Sequence, residues 1–235
     1  MCACSGNSST DPPLELLVSA AASLTDAFSE IEEAFELANS NIDVIMNFGA
    51  SSTLREQILE GAPVDVFASA NLSNMEQVIA EGIAVDPVIF TTNRLQIAVP
   101  AGNLAGITGL ASFADDSLLI GLCSPEVPCG AFARQALANA GVTAAIDTNE
   151  PDVRALLTKI EAGELDGGVV YVTDVTSTGG SVDGIEIPEE INVVAEYPMS
   201  ALSEAANAEP AESFVDFVLS DPGQTILSEY GFTAP

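Results

Sequence analysis

The chain has 235 residues, 48% of them hydrophobic, which suffices for one large or two small domains with a packed core. Its 35 Asp and Glu against five Lys and Arg give a net charge of −30, which repels nucleic acid and anionic membrane surfaces. There is no histidine, so nucleophiles assisted by imidazole and zinc sites of the usual mixed type are excluded. The apolar runs are far shorter than the roughly 18 residues of a membrane span.

Residues 1–13 are interpreted as a short polar tether without an apolar signal core. Cys4, preceded by Ala3, is a candidate for the lipidated residue that remains when a bacterial lipoprotein signal is trimmed. The alternative is an ordinary frayed terminus.

From residue 14 onward, apolar runs of strand length alternate with segments of helical periodicity. Strands are predicted at 14–18, 43–47, 64–68, 95–99, 118–122 and 168–172. Helices are predicted at 24–38, 53–60, 72–81, 131–140, 153–162, 211–219 and 223–229. This alternation predicts an α/β fold of mostly parallel sheets with crossover helices.

Two candidate domain boundaries lie near residues 91–93 and 196–198. They predict a discontinuous first lobe, formed by 14–92 and 198–235, and a second lobe formed by 93–197. Two chain crossings between lobes would form a hinge, and ligands commonly bind in the cleft of such a hinge.

The most informative pattern is a strand end followed at once by a Ser- or Pro-marked helix start. It occurs at 18–24, 48–53, 122–130 and 150–153, and a further strand ends at Tyr171. In an open α/β sheet these points converge on one crevice, where free N–H groups and helix dipoles favour an anion. The sequence therefore predicts a site for a small oxyanion. Arg55 and Arg154 lie close to it in sequence, but are interpreted as surface residues or as partners of carboxylates.

Cys123 and Cys129 flank a turn-rich segment, and a disulfide between them is sterically plausible and would suit an exported protein. Two reduced, half-buried thiols are the alternative.

Taken in order, these motifs resemble those of the molybdate-binding components of ABC importers, which are periplasmic or lipid-anchored proteins. The resemblance covers residues 14–235 and rests on Ala20-Ala21-Ala22-Ser23-Leu24, Gly49-Ala50-Ser51-Ser52-Thr53-Leu54, Gly61-Ala62-Pro63-Val64-Asp65-Val66-Phe67, Pro125-Glu126-Val127-Pro128-Cys129-Gly130, Asp152-Val153-Arg154, Val169-Val170-Tyr171 and Tyr230-Gly231-Phe232. It implies the two-lobe periplasmic-binding-protein fold, with one oxyanion in the cleft between the lobes.

The resemblance also implies roles for five residues. Ser23 and Ser51 should donate through hydroxyl and backbone N–H, Cys129 and Val153 through backbone N–H, and Tyr171 through its phenolic O–H. The implied ligand is molybdate or tungstate, without a cofactor or direct protein ligands to a metal. The implied partner is a membrane ABC permease, and the implied protein is an extracytoplasmic monomer and not an enzyme.

Several alternatives remain open at this point. The ligand could be another tetrahedral oxyanion such as sulfate or thiosulfate, which cavity size would distinguish. Other classes are an acidic hydrolase with paired carboxylates and a calcium-dependent surface protein. Ser23 and Ser51 could also be plain helix caps, and Tyr171 a core aromatic residue.

Overall fold

The structure is a computed structural model that describes residues 12–235, so Cys4 and its predicted lipidation lie outside the described residues. The strands are β1 Leu14–Ala21, β2 Ile42–Gly49, β3 Val66–Ala68, β4 Val88–Pro100, β5 Ile120–Cys123, β6 Thr148–Glu150, β7 Gly167–Tyr171, β8 Val182–Glu186 and β9 Val194–Ala201. The helices are α1 Thr25–Ala38, α2 Ser51–Leu59, α3 Leu72–Ala80, α4 Pro128–Asn139, α5 Val153–Glu161, α6 Val172–Ser177, α7 Ala208–Leu219 and α8 Asp221–Glu229. Within residues 12–235, no helix is both long and apolar enough to cross a membrane.

The strands form one continuous path in the order β2-β1-β3-β9-β4-β7-β5-β6, with β8 added to β4. Strand β4 pairs with β9 over Val88–Arg94 and then with β7 and β8 over Leu95–Pro100. We call β1, β2, β3, β9 and the part of β4 up to Arg94 the first half of the sheet. The second half consists of the rest of β4 with β5, β6, β7 and β8. Strand β4 is therefore the element that joins the two halves.

The predicted mixed α/β fold is confirmed, but only part of the sheet is parallel. Strand β1 pairs in parallel with β2 and β3, and β5 pairs in parallel with β6 and β7. The pairings of β4 with β7, β8 and β9, and of β9 with β3, are antiparallel. The sequence prediction missed β6, β8, β9 and the first half of β4, so it overstated the parallel character.

The first half of the sheet is covered by α1 and by α7, the second-to-last helix of the chain. Phe28 and Phe35 of α1 are fully buried, and their rings lie 6.1 and 5.2 Å from the ring of Phe214 in α7. Burying each such side chain contributes about 1.5–3 kcal/mol relative to leaving it exposed. The two ends of the chain thus pack together on one half of the sheet.

A glycine allows α4 to begin close against the end of β5. A Cβ atom added to Gly130 would lie 2.0 Å from the carbonyl oxygen of Ser124, well inside van der Waals contact. Only glycine fits at this position, and it brings the first turn of α4 onto the turn that follows β5.

Candidate functional site

One cavity brings together all five residues that the sequence predicted. This small cavity is lined by Ser23, Ser51, Cys129, Val153 and Tyr171. Its other lining residues are Ala21, Ala22, Gly49, Ala50, Ala70, Val127, Pro128 and Asp152. A space of this size accepts only a small ligand.

Several helix starts meet at this cavity. Ser51 begins α2, Cys129 lies in the first turn of α4, and Val153 begins α5, while Ser23 lies in a short 3-10 helix at 22–24. The first backbone N–H groups of a helix have no acceptor within the helix, so these amides remain available to a ligand. The positive end of each helix dipole adds to their attraction for an anion.

The hydroxyl of Ser51 is arranged to donate. Ser51 is 1% exposed, and its Oγ accepts a hydrogen bond of 3.0 Å from the backbone N–H of Ala70, which follows β3. A serine hydroxyl carries a single proton, and accepting from Ala70 leaves that proton free. Because Ser51 lines the cavity, the proton can be donated to a ligand there.

The hydroxyl of Tyr171 lacks an acceptor. Tyr171 is the last residue of β7 and is 1% exposed, and its hydroxyl has no hydrogen-bond partner among the residues that the structure describes. Such an orphaned buried group costs about 1–3 kcal/mol. Burial raises the pKa of Tyr171 well above its usual value, so the phenol keeps its proton. A buried donor that lines a cavity and lacks a partner indicates an acceptor supplied by a ligand.

Ser23 is also connected to a residue that the sequence analysis missed. Its Oγ lies 2.9 Å from the hydroxyl oxygen of Tyr197 in β9, and Tyr197 is fully buried. Nothing in the sequence pattern pointed to Tyr197, because the strand that carries it was itself not predicted.

The two arginines that the sequence places near the cavity form ion pairs with carboxylates. Arg154 of α5 forms an ion pair with Asp26 of α1 at 2.8 Å and also donates to Ser177, whereas Arg55 pairs with Glu56. The interpretation of both arginines as partners of carboxylates is confirmed. Among the residues that the structure describes, no Lys or Arg lines the cavity.

Asp152 is an acidic residue on the wall of the cavity, and its side chain is turned to its own helix. The Asp152 carboxylate accepts a hydrogen bond of 2.9 Å from the backbone N–H of Ala155, which makes it the N-cap of α5. This contact fixes the first turn of α5 and with it the position of the Val153 N–H group.

The predicted disulfide between Cys123 and Cys129 is wrong for this structure: both cysteines are free and buried. The Cys129 thiol donates instead to the carbonyl oxygen of Val169 in β7, with Sγ 3.1 Å from that oxygen. A hydrogen bond with Cys123, together with burial, raises the pKa of Cys129 well above its usual value. The pair therefore contributes packing and a contact between α4 and β7, and not a covalent link.

A buried carboxyl group lies one helical turn beyond Tyr171. Asp174 of α6 is 1% exposed; its Oδ2 accepts the backbone N–H of Tyr171 at 2.9 Å, and its Oδ1 has no partner among residues 12–235. Burial raises the pKa of Asp174 to about 7, although the Tyr171 N–H and the charge of Arg154 oppose this rise. The charges of Asp26 and Asp152 raise it further.

The chain is similar to known proteins over nearly its full length. A family model described as bacterial extracellular solute-binding protein matches residues 16–233. The molybdate-binding protein ModA of Mycobacterium tuberculosis strain H37Rv is 34% identical over a 241-residue alignment, which covers 99% of this chain and 92% of that protein.

Two solved structures show the same fold. The Azotobacter vinelandii periplasmic molybdate-binding protein aligns with a TM-score of 0.81 at 19% identity, covering 94% of this chain and 99% of its own. The sulfate-binding protein SubI from Mycobacterium tuberculosis H37Rv aligns with a TM-score of 0.83 at 15% identity, covering 93% of this chain and 86% of its own.

We predict that Asp174→Asn changes how the free energy of unfolding depends on pH. The folded protein holds the Asp174 proton up to about pH 7, whereas an ordinary Asp, with a pKa of 3.8, releases it much earlier. The wild type therefore loses stability as the pH rises from about 4 to 7, and the asparagine variant lacks this loss. Between pH 5 and 8.5, the free energy of unfolding measured with urea should shift in favour of the variant by about 2.7 kcal/mol, because the two pH units from 5 to 7 each contribute about 1.36 kcal/mol.

Asp115→Asn is the control for this measurement. A hydrogen bond from Ser117 lowers the pKa of the exposed Asp115 below its usual value of 3.8, so this carboxyl is ionised in the folded and the unfolded protein throughout pH 5–8.5, and its replacement should leave the pH dependence in this range unchanged. If the free energies of unfolding of Asp174→Asn and of the wild type differ by the same amount at every pH, the raised pKa assigned to Asp174 is contradicted.

Proposed function

The chain belongs to the bacterial extracellular solute-binding proteins, and from this membership we propose that it captures molybdate or tungstate in the cavity and delivers it to a membrane ABC permease. The full-length similarity to a protein named as molybdate-binding supports this ligand. The observation that carries the proposal is the buried Tyr171 hydroxyl, which lacks an acceptor in a cavity lined by helix starts.

In the proposed complex, the oxyanion is held by neutral donors. The donors are the hydroxyls of Ser23, Ser51 and Tyr171 and the backbone N–H groups of the two serines, Cys129 and Val153. Hydrogen bonds to an ionised acceptor are roughly twice as strong as neutral ones, and several converging dipoles replace a counter-cation. The absence of Lys and Arg from the cavity wall is consistent with this form of recognition.

The proposal is one of binding and not of catalysis. The cavity presents donors, and Asp152 on its wall is already used as a helix cap. The protein would release its ligand unchanged, and it needs neither a cofactor nor a metal held by its own side chains.

We further propose that the protein works as a monomer of two lobes, 14–92 with 198–235 and 93–197, which close on the ligand. The proposed crossing points fall inside β4 and β9, which pair with each other over residues 88–94 and 194–199. The ion pair between Arg154 and Asp26 then links the lobes beside the ligand. Residues 1–13 would serve as the tether, with Cys4 as the candidate for lipidation.

A second candidate is a receptor for sulfate or another tetrahedral oxyanion, because the sulfate-binding SubI shares the fold with a TM-score of 0.83. Calorimetric titration with molybdate, tungstate, sulfate and phosphate separates the two candidates. We expect molybdate and tungstate to bind at least about 100-fold more tightly than sulfate, which corresponds to about 2.7 kcal/mol. Tighter binding of sulfate would favour the second candidate, and no binding of any of the four would contradict both.

The assignment of individual donors predicts that Ser51→Ala and Tyr171→Phe each weaken molybdate binding by about 1–3 kcal/mol, since each leaves a buried charge without one donor. Ser203→Ala and Tyr230→Phe are matched controls. They remove exposed hydroxyls that bond to Gly82 and Glu30, and they should bind as the wild type does. Unchanged affinity in both site variants would contradict the assigned site.

The net charge of −30 predicts an unusual salt dependence of the binding rates. The long-range field opposes the approach of a dianion, and at about 0.15 M salt a Debye length of about 8 Å screens most of it. Added chloride salt should therefore speed association and leave dissociation nearly unchanged, as stopped-flow measurements can show. An association rate that falls steeply with salt would instead indicate a cationic patch that steers the ligand.

A further inference from the structure

Tyr197 contacts two of the proposed ligand donors without lining the cavity. Its hydroxyl oxygen lies 2.9 Å from Ser23 Oγ, and its ring packs edge-on against that of Tyr171, with centroids 6.0 Å apart. The ring is further enclosed by Phe90 and Phe232, at 6.3 and 5.6 Å. Tyr197 is thus fixed in place by three aromatic neighbours.

The neighbours of Tyr197 decide which hydroxyl donates in its contact with Ser23. The side chain of Asn93 accepts the Arg94 N–H through Oδ1 at 2.9 Å and donates to Thr173 Oγ1 through Nδ2 at 2.9 Å. Both polar atoms of Asn93 are thus engaged with Thr173 and Arg94, and among the described residues the hydrogen-bond partner of the Tyr197 hydroxyl is Ser23 Oγ. Tyr197 is fully buried, so its proton has Ser23 Oγ as its acceptor, whereas the Ser23 proton can turn to the cavity.

Tyr197 keeps this proton under ordinary conditions. Burial raises the pKa of Tyr197 well above its usual value. The phenol is therefore a permanent donor at neutral pH. The other titratable groups that act on it are Asp174 and Cys129, and both raise its pKa.

The direction of this hydrogen bond determines what Ser23 can offer to a ligand. A serine hydroxyl has one proton, and once Ser23 Oγ accepts from Tyr197, that proton has to point elsewhere. Ser23 lines the cavity, so the cavity is the direction that remains. Ser51 Oγ likewise accepts a hydrogen bond, from the Ala70 N–H, so both serines present their protons to the cavity.

We propose that Tyr197 is a positioning residue of the oxyanion site, which donates to Ser23 Oγ and thereby commits the Ser23 proton to the bound anion. This inference rests on the proposed oxyanion-binding function. A donor that is already oriented needs no reorganisation when the anion arrives, so orientation raises affinity without an additional ligand contact.

A double-mutant cycle in molybdate affinity tests the proposal, using wild type, Tyr197→Phe, Ser23→Ala and the double variant. Phenylalanine retains the ring and its packing, and removes only the hydroxyl. Tyr197→Phe should weaken binding about 3- to 10-fold, the size expected for one hydrogen bond. In the Ser23→Ala background the same change should cost less than about 2-fold, because Tyr197 no longer has a hydroxyl to orient.

Controls separate positioning from a structural role and from failure of the proposed function. Urea unfolding of all four proteins checks that they are folded, and Tyr230→Phe, which removes a bond to Glu30 on the surface, should bind as the wild type does. If Tyr197→Phe does not fold, Tyr197→Met takes its place in the cycle. The positioning role alone is overturned if Tyr197→Phe binds molybdate as tightly as the wild type. It is also overturned if Tyr197→Phe lowers molybdate affinity equally in the wild type and in the Ser23→Ala variant. A wild type that binds no molybdate, tungstate or sulfate overturns the proposed function as well.

Discussion

The site depends on backbone N–H groups at helix starts, which have no hydrogen-bond partner within their own helix. They become useful only when several helices start at the same point, and that requires neighbouring strands to end side by side. The parallel pairing of β1 with β2, and of β5 with β6 and β7, meets this requirement. Each of these strands is followed by a helical turn after at most four intervening residues. The parallel parts of the sheet therefore create the site, whereas antiparallel β4 and β9 join its two halves.

An acidic protein can hold an anion in this way only if the carboxyl groups close to the site are neutralised or hydrogen-bonded. The neighbouring carboxyl groups satisfy this condition by three different means. Asp26 is paired with Arg154, Asp152 accepts a hydrogen bond as the cap of α5, and the buried Asp174 has a pKa of about 7. The large net charge thus resides mainly on the surface, where salt screens it. Local dipoles and global charge can then act on the ligand almost independently.

Much of the site could be predicted from the sequence, because helix starts have local signals. Ser51 at a strand end and Pro128 at the first position of α4 mark the turns directly. Other features lack such signals: β6 and β8 are short and polar, and β9 carries a proline. The state of Cys123 and Cys129 depends on the Val169 carbonyl, which approaches only in the folded chain. Tyr197 and Asp174 were missed for the same reason, since their roles come from burial and from distant partners.

The strands that join the two halves of the sheet also carry groups that order the site. Asn93 of β4 and Tyr197 of β9 lie on paired strands; Asn93 donates to Thr173 of α6, and Tyr197 forms the hydrogen bond with Ser23. The ring of Tyr197 also touches Tyr171, which belongs to the second half. If the halves move about these strands, as proposed for the two lobes, the same motion changes the contacts that orient the donors. Lobe closure and donor alignment would then depend on the same few atoms, so the anion would meet its full set of oriented donors only in the closed form.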